Sequence, residues 1–224
     1  MLITTLLRAE EPAYIEAITA LLLAGKSSRQ IVDVLQVAAA KTVLATSDSK
    51  AFAGSQHVYE YTNTLGWFFD RFDHPHRLKL LYVAGSFIRQ VAHALGATGN
   101  GEADTMPTRE MTELSQQQLL TRLDAEMVAR NANAAVALVR AYLRGGYDRR
   151  PLVRTLATGA AKHGNDTHNQ EIALCILEDY RRNAHGDREQ LLLACAQHTA
   201  GHQKYGDTLE PYRRYLDALG LSEN

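Results

Sequence analysis

Two histidines of this chain are each followed three residues later by a glutamate, His57 by Glu60 and His168 by Glu171. On a helix, residues three apart lie on nearly the same face, so each pair would present an imidazole and a carboxylate together. Glu-x-x-His pairs on facing helices build carboxylate-bridged iron sites inside helical bundles, and here the order is reversed. If the two pairs converge, four ligands from two helices would suit iron, manganese or zinc. The pattern predicts a metal site made of His57, Glu60, His168 and Glu171.

The same pairs have a second interpretation that needs no metal. A hydrogen bond between the histidine and the glutamate of each pair could brace a contact between helices. Burial of such a pair is tolerable only when every polar atom is satisfied. Both interpretations stay open at the level of sequence.

Other histidines could supply acid and base catalysis near such a site. We expect His163 or His198 to act in this way, provided that either side chain reaches the pocket. His198 and His202 are spaced four residues apart and could also grip one ion from a single helix face. For that spaced pair, however, an exposed position is the more common situation, and His202 stands beside Lys204.

Cysteine chemistry is not favoured. Cys175 and Cys195 both fall in helical apolar patterns, where a buried free thiol is the usual finding. Neither stands at a helix start or beside an obvious cation, so nothing predicts an activated thiolate. The aromatic run of Trp67, Phe68 and Phe69 predicts core packing, with part of an apolar substrate pocket as the alternative.

The composition excludes several classes of function. The 24 basic residues nearly balance the 25 acidic ones, so no broad positive field is available for nucleic acid or an anionic membrane. The segment from residue 1 to residue 7 is too short for a signal peptide core or a membrane span, and we expect a cytoplasmic protein. No phosphate-binding loop, dinucleotide fingerprint or nucleophile elbow occurs.

The elements that must position these residues are helices. Ala, Leu, Gln, Arg and Glu dominate the patterned segments, and apolar residues recur at helical spacing. Gly25 is a predicted helix stop, and Ser27 a predicted cap for the helix that follows. We predict an all-α protein of about ten helices, in two pseudo-repeats of antiparallel helices that form one compact body.

An internal repeat is visible in the sequence. Residues 21–41 match residues 142–162 at an offset of 121, and residues 57–81 match residues 168–192 at an offset of 111, with an insertion of ten residues in the first copy. The matched pairs include Gly25 with Gly146, His57 with His168, Glu60 with Glu171, His74 with His185, and Arg77 with Arg188. Between the copies lies a stretch rich in Gly, Asn and Asp. We predict a first repeat at 1–96, a linker at 97–112 and a second repeat at 113–224.

Three segments resemble a known family. These segments are residues 45–69, 160–180 and 195–216. They are similar to the helical region of bacterial proteins that often carry a Rieske iron–sulfur domain, and to questin-oxidase-like proteins. An Asp-x-His-x-x-Lys pattern is typical of that family. Asp166, His168 and Glu171 fall on it, with glutamate in place of lysine.

The resemblance implies an all-helical fold and oxygenase chemistry on aromatic, polyketide-like molecules. In some members a non-haem iron is held by several histidines and a modified lysine, so the resemblance makes His57 and His168 the best ligands to carry over. This chain departs from the family by lacking a Rieske domain, by its roughly half length and by Glu171. A homodimer could restore the full-length arrangement.

Three functional hypotheses follow from these patterns. The first is a metal-dependent oxidoreductase of the non-haem iron type that acts on a small apolar or aromatic substrate, with a possible need for a separate electron donor. The second is a non-catalytic helical-repeat protein that binds another protein. The third is a metal-free enzyme that uses histidine for proton transfer.

Overall fold

The computed structural model describes residues 2–47, 52–96, 106–163, 167–202 and 209–221. Within these ranges the regular elements are helices, with no β-strand, as the sequence predicts. The helices are α1 (Leu2–Arg8), α2 (Ala13–Leu23), α3 (Ser28–Ala45), α4 (Phe52–Arg71), α5 (Leu78–Ala94), α6 (Arg109–Thr112), α7 (Gln116–Val128), α8 (Ala132–Arg144), α9 (Arg149–His163), α10 (Thr167–Arg182), α11 (Glu189–Gly201) and α12 (Leu209–Ala218). A short 3₁₀ turn, Pro75–Arg77, precedes α5.

Local signals set the ends of several helices. Ser27 begins α3 with a reciprocal capping box, in which its hydroxyl accepts from the Gln30 amide and its own amide donates to the Gln30 side chain. Gly25 and Gly146 end α2 and α8 with φ values of +77° and +69°. Glycine adopts this left-handed conformation without the steric cost that other residues meet. The two glycines are matched in the internal repeat, so the repeat extends to backbone geometry.

Equivalent helices pack in equivalent ways in the two halves. The main packing contacts among helices α1 to α5 recur between the matched helices α7 to α11. The turns before α5 and α11 are also alike, since the Nδ1 atoms of His74 and His185 each accept a backbone N–H two residues later. Arg77 and Arg188 each donate to a carbonyl five residues back and lie over an aromatic ring, Phe69 and Tyr180 respectively.

The two halves contact each other through two pairs of helices, and only one of these pairs joins equivalent helices. Helix α10 packs on α4, and α11 packs on α3. If a twofold axis related the halves, the contact of α11 with α3 would be matched by a contact of α5 with α9. In the described residues the face of α9 and α10 is open instead, and Leu174 on this face is 67% exposed. The halves therefore stack head to tail.

Helix α11 lies at the centre of the molecule, in contact with α3, α8 and α10. Nearly all of its side chains are buried, and small residues such as Ala194, Ala196, Ala200 and Gly201 allow its neighbours to approach closely. A Cβ atom on Gly201 would lie 3.1 Å from the Phe52 ring, which packs against this end of the helix. Polar side chains near the end of α11 are therefore buried as well.

Among the described helices, none has the length and apolar character that crossing a membrane requires.

Candidate metal centre

The two His-x-x-Glu pairs lie where α4 packs on α10. Glu60, His168 and Glu171 each place one ligand atom within 4.8 Å of the others. Donor atoms around a tetrahedral metal with bonds of about 2.1 Å stand roughly 3.4 Å apart, so side-chain rotations of about 1 Å would bring these three atoms to binding distance. The three side chains can thus provide a facial set of one imidazole and two carboxylates. The facial triad of non-haem iron oxygenases has two histidines and one carboxylate, so this set differs from it by one ligand; imidazole and carboxylate donors also suit manganese or zinc.

Glu60 has one carboxylate oxygen that no residue in the described part of the chain satisfies. Its Oε2 atom lies 2.9 Å from Nδ1 of His57, whereas its Oε1 atom is buried and accepts no hydrogen bond from the described residues. A buried acceptor without a partner costs free energy, and the cost is larger when the group is charged. A cation between Glu60, His168 and Glu171 would supply the missing interaction. The donor set and this oxygen both fit a bound metal.

His57 stands at the outer edge of the group. Its side chain is 58% exposed, and its ring meets the His168 ring edge-on with centroids 6.4 Å apart. Because Nδ1 faces Glu60, His57 is placed to orient that carboxylate, as residues around a metal site commonly do for its ligands. Ligation through Nε2 would require the ring to turn.

His198 and His202 continue the group into the core. The His202 ring meets the His168 ring edge-on at 6.5 Å and stacks on the His198 ring at 5.0 Å. The expectation that this pair is exposed is wrong, since His198 is 1% and His202 2% exposed. The reason is the central position of α11, which a local pattern of histidines does not reveal. His57, His168, His202 and His198 thus form a row from the surface to the core.

The inner end of the row is held by two side chains of α4 that the sequence patterns do not single out. Phe52 packs edge-on against both His198 and His202, with centroids 5.2 Å and 5.5 Å away. The Nε2 atom of Gln56 lies 2.8 Å from Nε2 of His198. Since an amide NH₂ group only donates, this contact suits the His198 tautomer that carries its proton on Nδ1 and accepts at Nε2. A neutral imidazole in that tautomer can receive a proton at Nε2 only by displacing Gln56.

His163, the other predicted acid or base, makes its described contact elsewhere. Its Nε2 atom lies 3.2 Å from the Asp124 carboxylate, which links the end of α9 to α7. The contact gives His163 a structural function between these two helices. A catalytic part for His163 stays a prediction. Asp166, which the family pattern also includes, lies outside the described residues.

Carboxylates give the α4/α10 interface a negative character. Burial raises the pKa of the Cys175 thiol to about 12, and the neighbouring Asp179, Glu171 and Glu60 carboxylates add to the effect. Burial likewise raises the pKa of the Cys195 thiol to about 12. Neither cysteine is a thiolate near neutral pH, in agreement with the sequence analysis. A negative surrounding of this kind disfavours a thiolate and favours a bound cation.

A second buried carboxylate lies further along the same interface. Asp179 is 4% exposed, and burial raises its pKa to about 7, although hydrogen bonds from Asn63 and Tyr59 oppose the shift. The Tyr59 hydroxyl donates to Oδ2 at 3.2 Å and the Asn63 amide to Oδ1 at 3.1 Å. These bonds join the two halves beside the candidate metal centre.

Comparison of the chain with protein-family models, with curated proteins and with solved structures gave no match.

Proposed function

We propose that this protein is a metal-dependent oxidoreductase of the non-haem iron type, with its metal at the junction of α4 and α10. The observation that carries the proposal is the convergence of Glu60, His168 and Glu171 to within 4.8 Å of one another, with the Oε1 atom of Glu60 buried and without a partner in the described residues. An iron ion held by three protein ligands would supply redox chemistry and keep coordination positions open for dioxygen or substrate.

The protein's own side chains have distinct tasks in this proposal. Glu60, His168 and Glu171 bind the metal, and His57 orients Glu60 through its 2.9 Å contact. His202 lies next to His168 and is buried, so it is placed to join the ligand set or to keep water from the inner side of the metal. His198, one ring further in, is the candidate base, and its contact with Gln56 suits the tautomer protonated on Nδ1.

The substrate class in the proposal comes from the sequence resemblance. A small apolar or aromatic molecule, with a separate electron donor where the reaction requires one, is what the questin-oxidase-like similarity implies. The negative character of the site agrees with a substrate that carries no carboxylate or phosphate of its own.

Metal analysis of protein purified without an affinity tag tests the proposal. We expect about one iron per chain after anaerobic loading with Fe(II), and loss of that iron in His168→Ala. The matched control is His93→Ala, because His93 is an exposed histidine on α5. Nitric oxide added to the loaded protein should give the paramagnetic resonance signal of a high-spin iron–nitrosyl complex, which requires an open coordination position. Iron retained in His168→Ala, or no iron bound by the parent protein, would refute the site.

A helical-repeat protein that binds another protein is the second candidate function. The open apolar face of α9 and α10 favours it, because exposed contiguous apolar surface marks interaction sites. A parent protein that binds no iron and melts at the same temperature with and without Fe(II) would favour this second function over the first.

A further inference from the structure

The head-to-tail stacking of the two halves leaves one copy of the stacking interface unused at each end of the molecule. The face formed by α3 and α4, here called the α3/α4 face, is covered by α10 and α11. Its equivalent in the second half is the face formed by α9 and α10, here called the α9/α10 groove. That groove is open and encloses about 460 Å³.

Matched residues are buried in the α3/α4 face and exposed in the α9/α10 groove. Gln36 and Ala40 of the α3/α4 face are fully buried, whereas the matched Ala157 and Ala161 are exposed. Leu174 is 67% exposed, and the matched Asn63 bonds to Asp179 across the internal interface. The groove is thus shaped like a covered face but has nothing on it in the described part of the chain.

The complementary surface is exposed at the other end. Inside the molecule, Asp179 of α10 bonds to Asn63 of α4, and Asn183, just after α10, bonds to Gln36 of α3. Their equivalents in the first half are Phe68 and Phe72, which are 39% and 46% exposed. These two rings pack against each other in a tilted arrangement, with centroids 4.9 Å apart, and both contact Trp67, forming an exposed cluster here called the α4 aromatic patch. Core packing, which the sequence predicts for Trp67 and Phe68, is therefore wrong for both.

The internal interface is polar at the positions where the two open surfaces are apolar. The internal interface pairs polar side chains with polar side chains, Asp179 with Asn63 and Asn183 with Gln36. The two open surfaces replace these four residues by Phe68, Leu174, Phe72 and Ala157, which are all apolar. An apolar open surface that covered a polar surface of the internal interface would leave buried polar groups without hydrogen bonds. The two open surfaces are both apolar, so they match each other.

Charged residues of the two open surfaces also stand at matched positions. The Ala184 amide donates to Asp33 across the internal interface. The equivalents of these two residues on the open surfaces are Asp73 and Arg154, which carry opposite charges. Asp73 is almost fully exposed, although it pairs with Arg77 at 3.0 Å, and Arg154 is exposed on α9. In a contact that repeated the internal stacking, an acidic residue on one open surface would face a basic residue on the other.

We propose that this protein self-associates head to tail, with the α4 aromatic patch of one copy docked in the α9/α10 groove of the next. The contact repeats the stacking that already joins the two halves within one chain, so Phe68 meets Leu174 and Phe72 meets Ala157. Repeat proteins need polar end faces to stop stacking, and both end faces here are apolar. A heterologous contact of this kind produces rings or open chains of copies, in contrast to the twofold homodimer expected from the sequence.

Two single substitutions test the contact from opposite sides. Leu174→Glu places a charge in the groove, and Phe72→Glu places one in the α4 aromatic patch; both positions are exposed, so the fold should persist, with unchanged circular dichroism. By sedimentation velocity we expect the parent protein to associate at roughly micromolar concentrations, which is the weak end of the range for standard-size interfaces. Each variant should weaken association by at least about tenfold. Leu23→Glu is the matched control, because Leu23 is 84% exposed on α2 and outside both surfaces.

Mixing the two variants gives the decisive result. Leu174→Glu keeps an intact α4 aromatic patch and Phe72→Glu keeps an intact groove, so the mixture should form a one-to-one dimer although each variant alone is monomeric. A twofold interface cannot give this result, since each partner would lack a needed surface. A monomeric parent protein, association unaffected by either variant, or a mixture that stays monomeric would each overturn the proposal. Metal content is independent of all three outcomes, so this test and that of the metal centre fail separately.

Discussion

The two His-x-x-Glu pairs hold matched positions in the two halves of the chain, but their surroundings differ. His57 is 58% exposed and bonds to its own glutamate at 2.9 Å, whereas His168 is partly buried between His57 and His202. Both pairs arise from the same helix spacing, so the spacing cannot cause the difference. The cause is the residue that the neighbouring helix supplies, since His202 at the end of α11 lies beside His168, whereas the matched position on α5 is Val91. A duplicated motif can therefore supply a ligand in one copy and an orienting residue in the other.

The largest expected effect separates the two histidines. His168→Ala removes a ligand and should weaken Fe(II) binding by at least about 100-fold, whereas His57→Ala removes an orienting contact and should weaken it by about tenfold. Competition with a fluorescent chelator measures both affinities. Equal losses of affinity would mean that the two pairs act alike, and would contradict the assignment of His168 as a ligand and His57 as an orienting residue.

A second test uses Asp179, whose equivalent in the first half is the exposed Phe68. Burial raises the pKa of Asp179 from its ordinary value of 3.8 to about 7, so the fold favours the protonated form. Its favourable contribution is complete below pH 3.8, declines as the unfolded chain ionises and is lost once the pH passes about 7. Asp179→Asn can keep its contacts with Tyr59 and Asn63 without ionising, and should raise the free energy of unfolding at pH 8 by about 2 kcal/mol relative to the parent.

Urea unfolding at pH 5 and pH 8 measures this change for Asp179→Asn and for the control Asp217→Asn, an exposed residue of α12. The advantage of Asp179→Asn over the parent should be larger at pH 8 than at pH 5. A variant that is less stable than the parent at pH 8 would show that the charged carboxylate stabilises the junction between the halves.

The smallest effect sharpens the comparison of backbone geometry. Gly25→Ala and Gly146→Ala each force a residue with a Cβ atom into positive φ, at a cost of about 1 kcal/mol. A Cβ atom added at either glycine would meet no neighbouring atom within 4 Å. The cost therefore comes from the backbone alone and should be equal in the two halves. Gly186→Ala is the control, because this glycine has open space and no positive φ. Unequal melting temperatures for the two helix-end variants would show that the matched turns are not energetically equivalent.

Much of the fold follows from local patterns. Apolar spacing, the serine cap at Ser27 and the glycine stops at Gly25 and Gly146 act within a few residues, so the sequence predicts the helices around them well. The internal repeat also appears in the sequence, because equivalent turns need equivalent residues, as His74 and His185 show. The pairing of histidine and glutamate on one helix face belongs to the same local class.

The convergence of the two pairs and the burial of His198 and His202 depend on contacts between residues more than one hundred positions apart, such as Gln56 with His198. The sequence by itself determined an all-helical chain, a duplicated unit and one imidazole–carboxylate pair in each copy. Only the tertiary structure decided that the copies stack head to tail. That stacking gathers Glu60, His168 and Glu171 at one point and leaves Phe68 and Leu174 uncovered. The reason is that helix periodicity states which face of a helix is apolar, whereas the neighbour that covers this face is chosen by packing across the whole molecule.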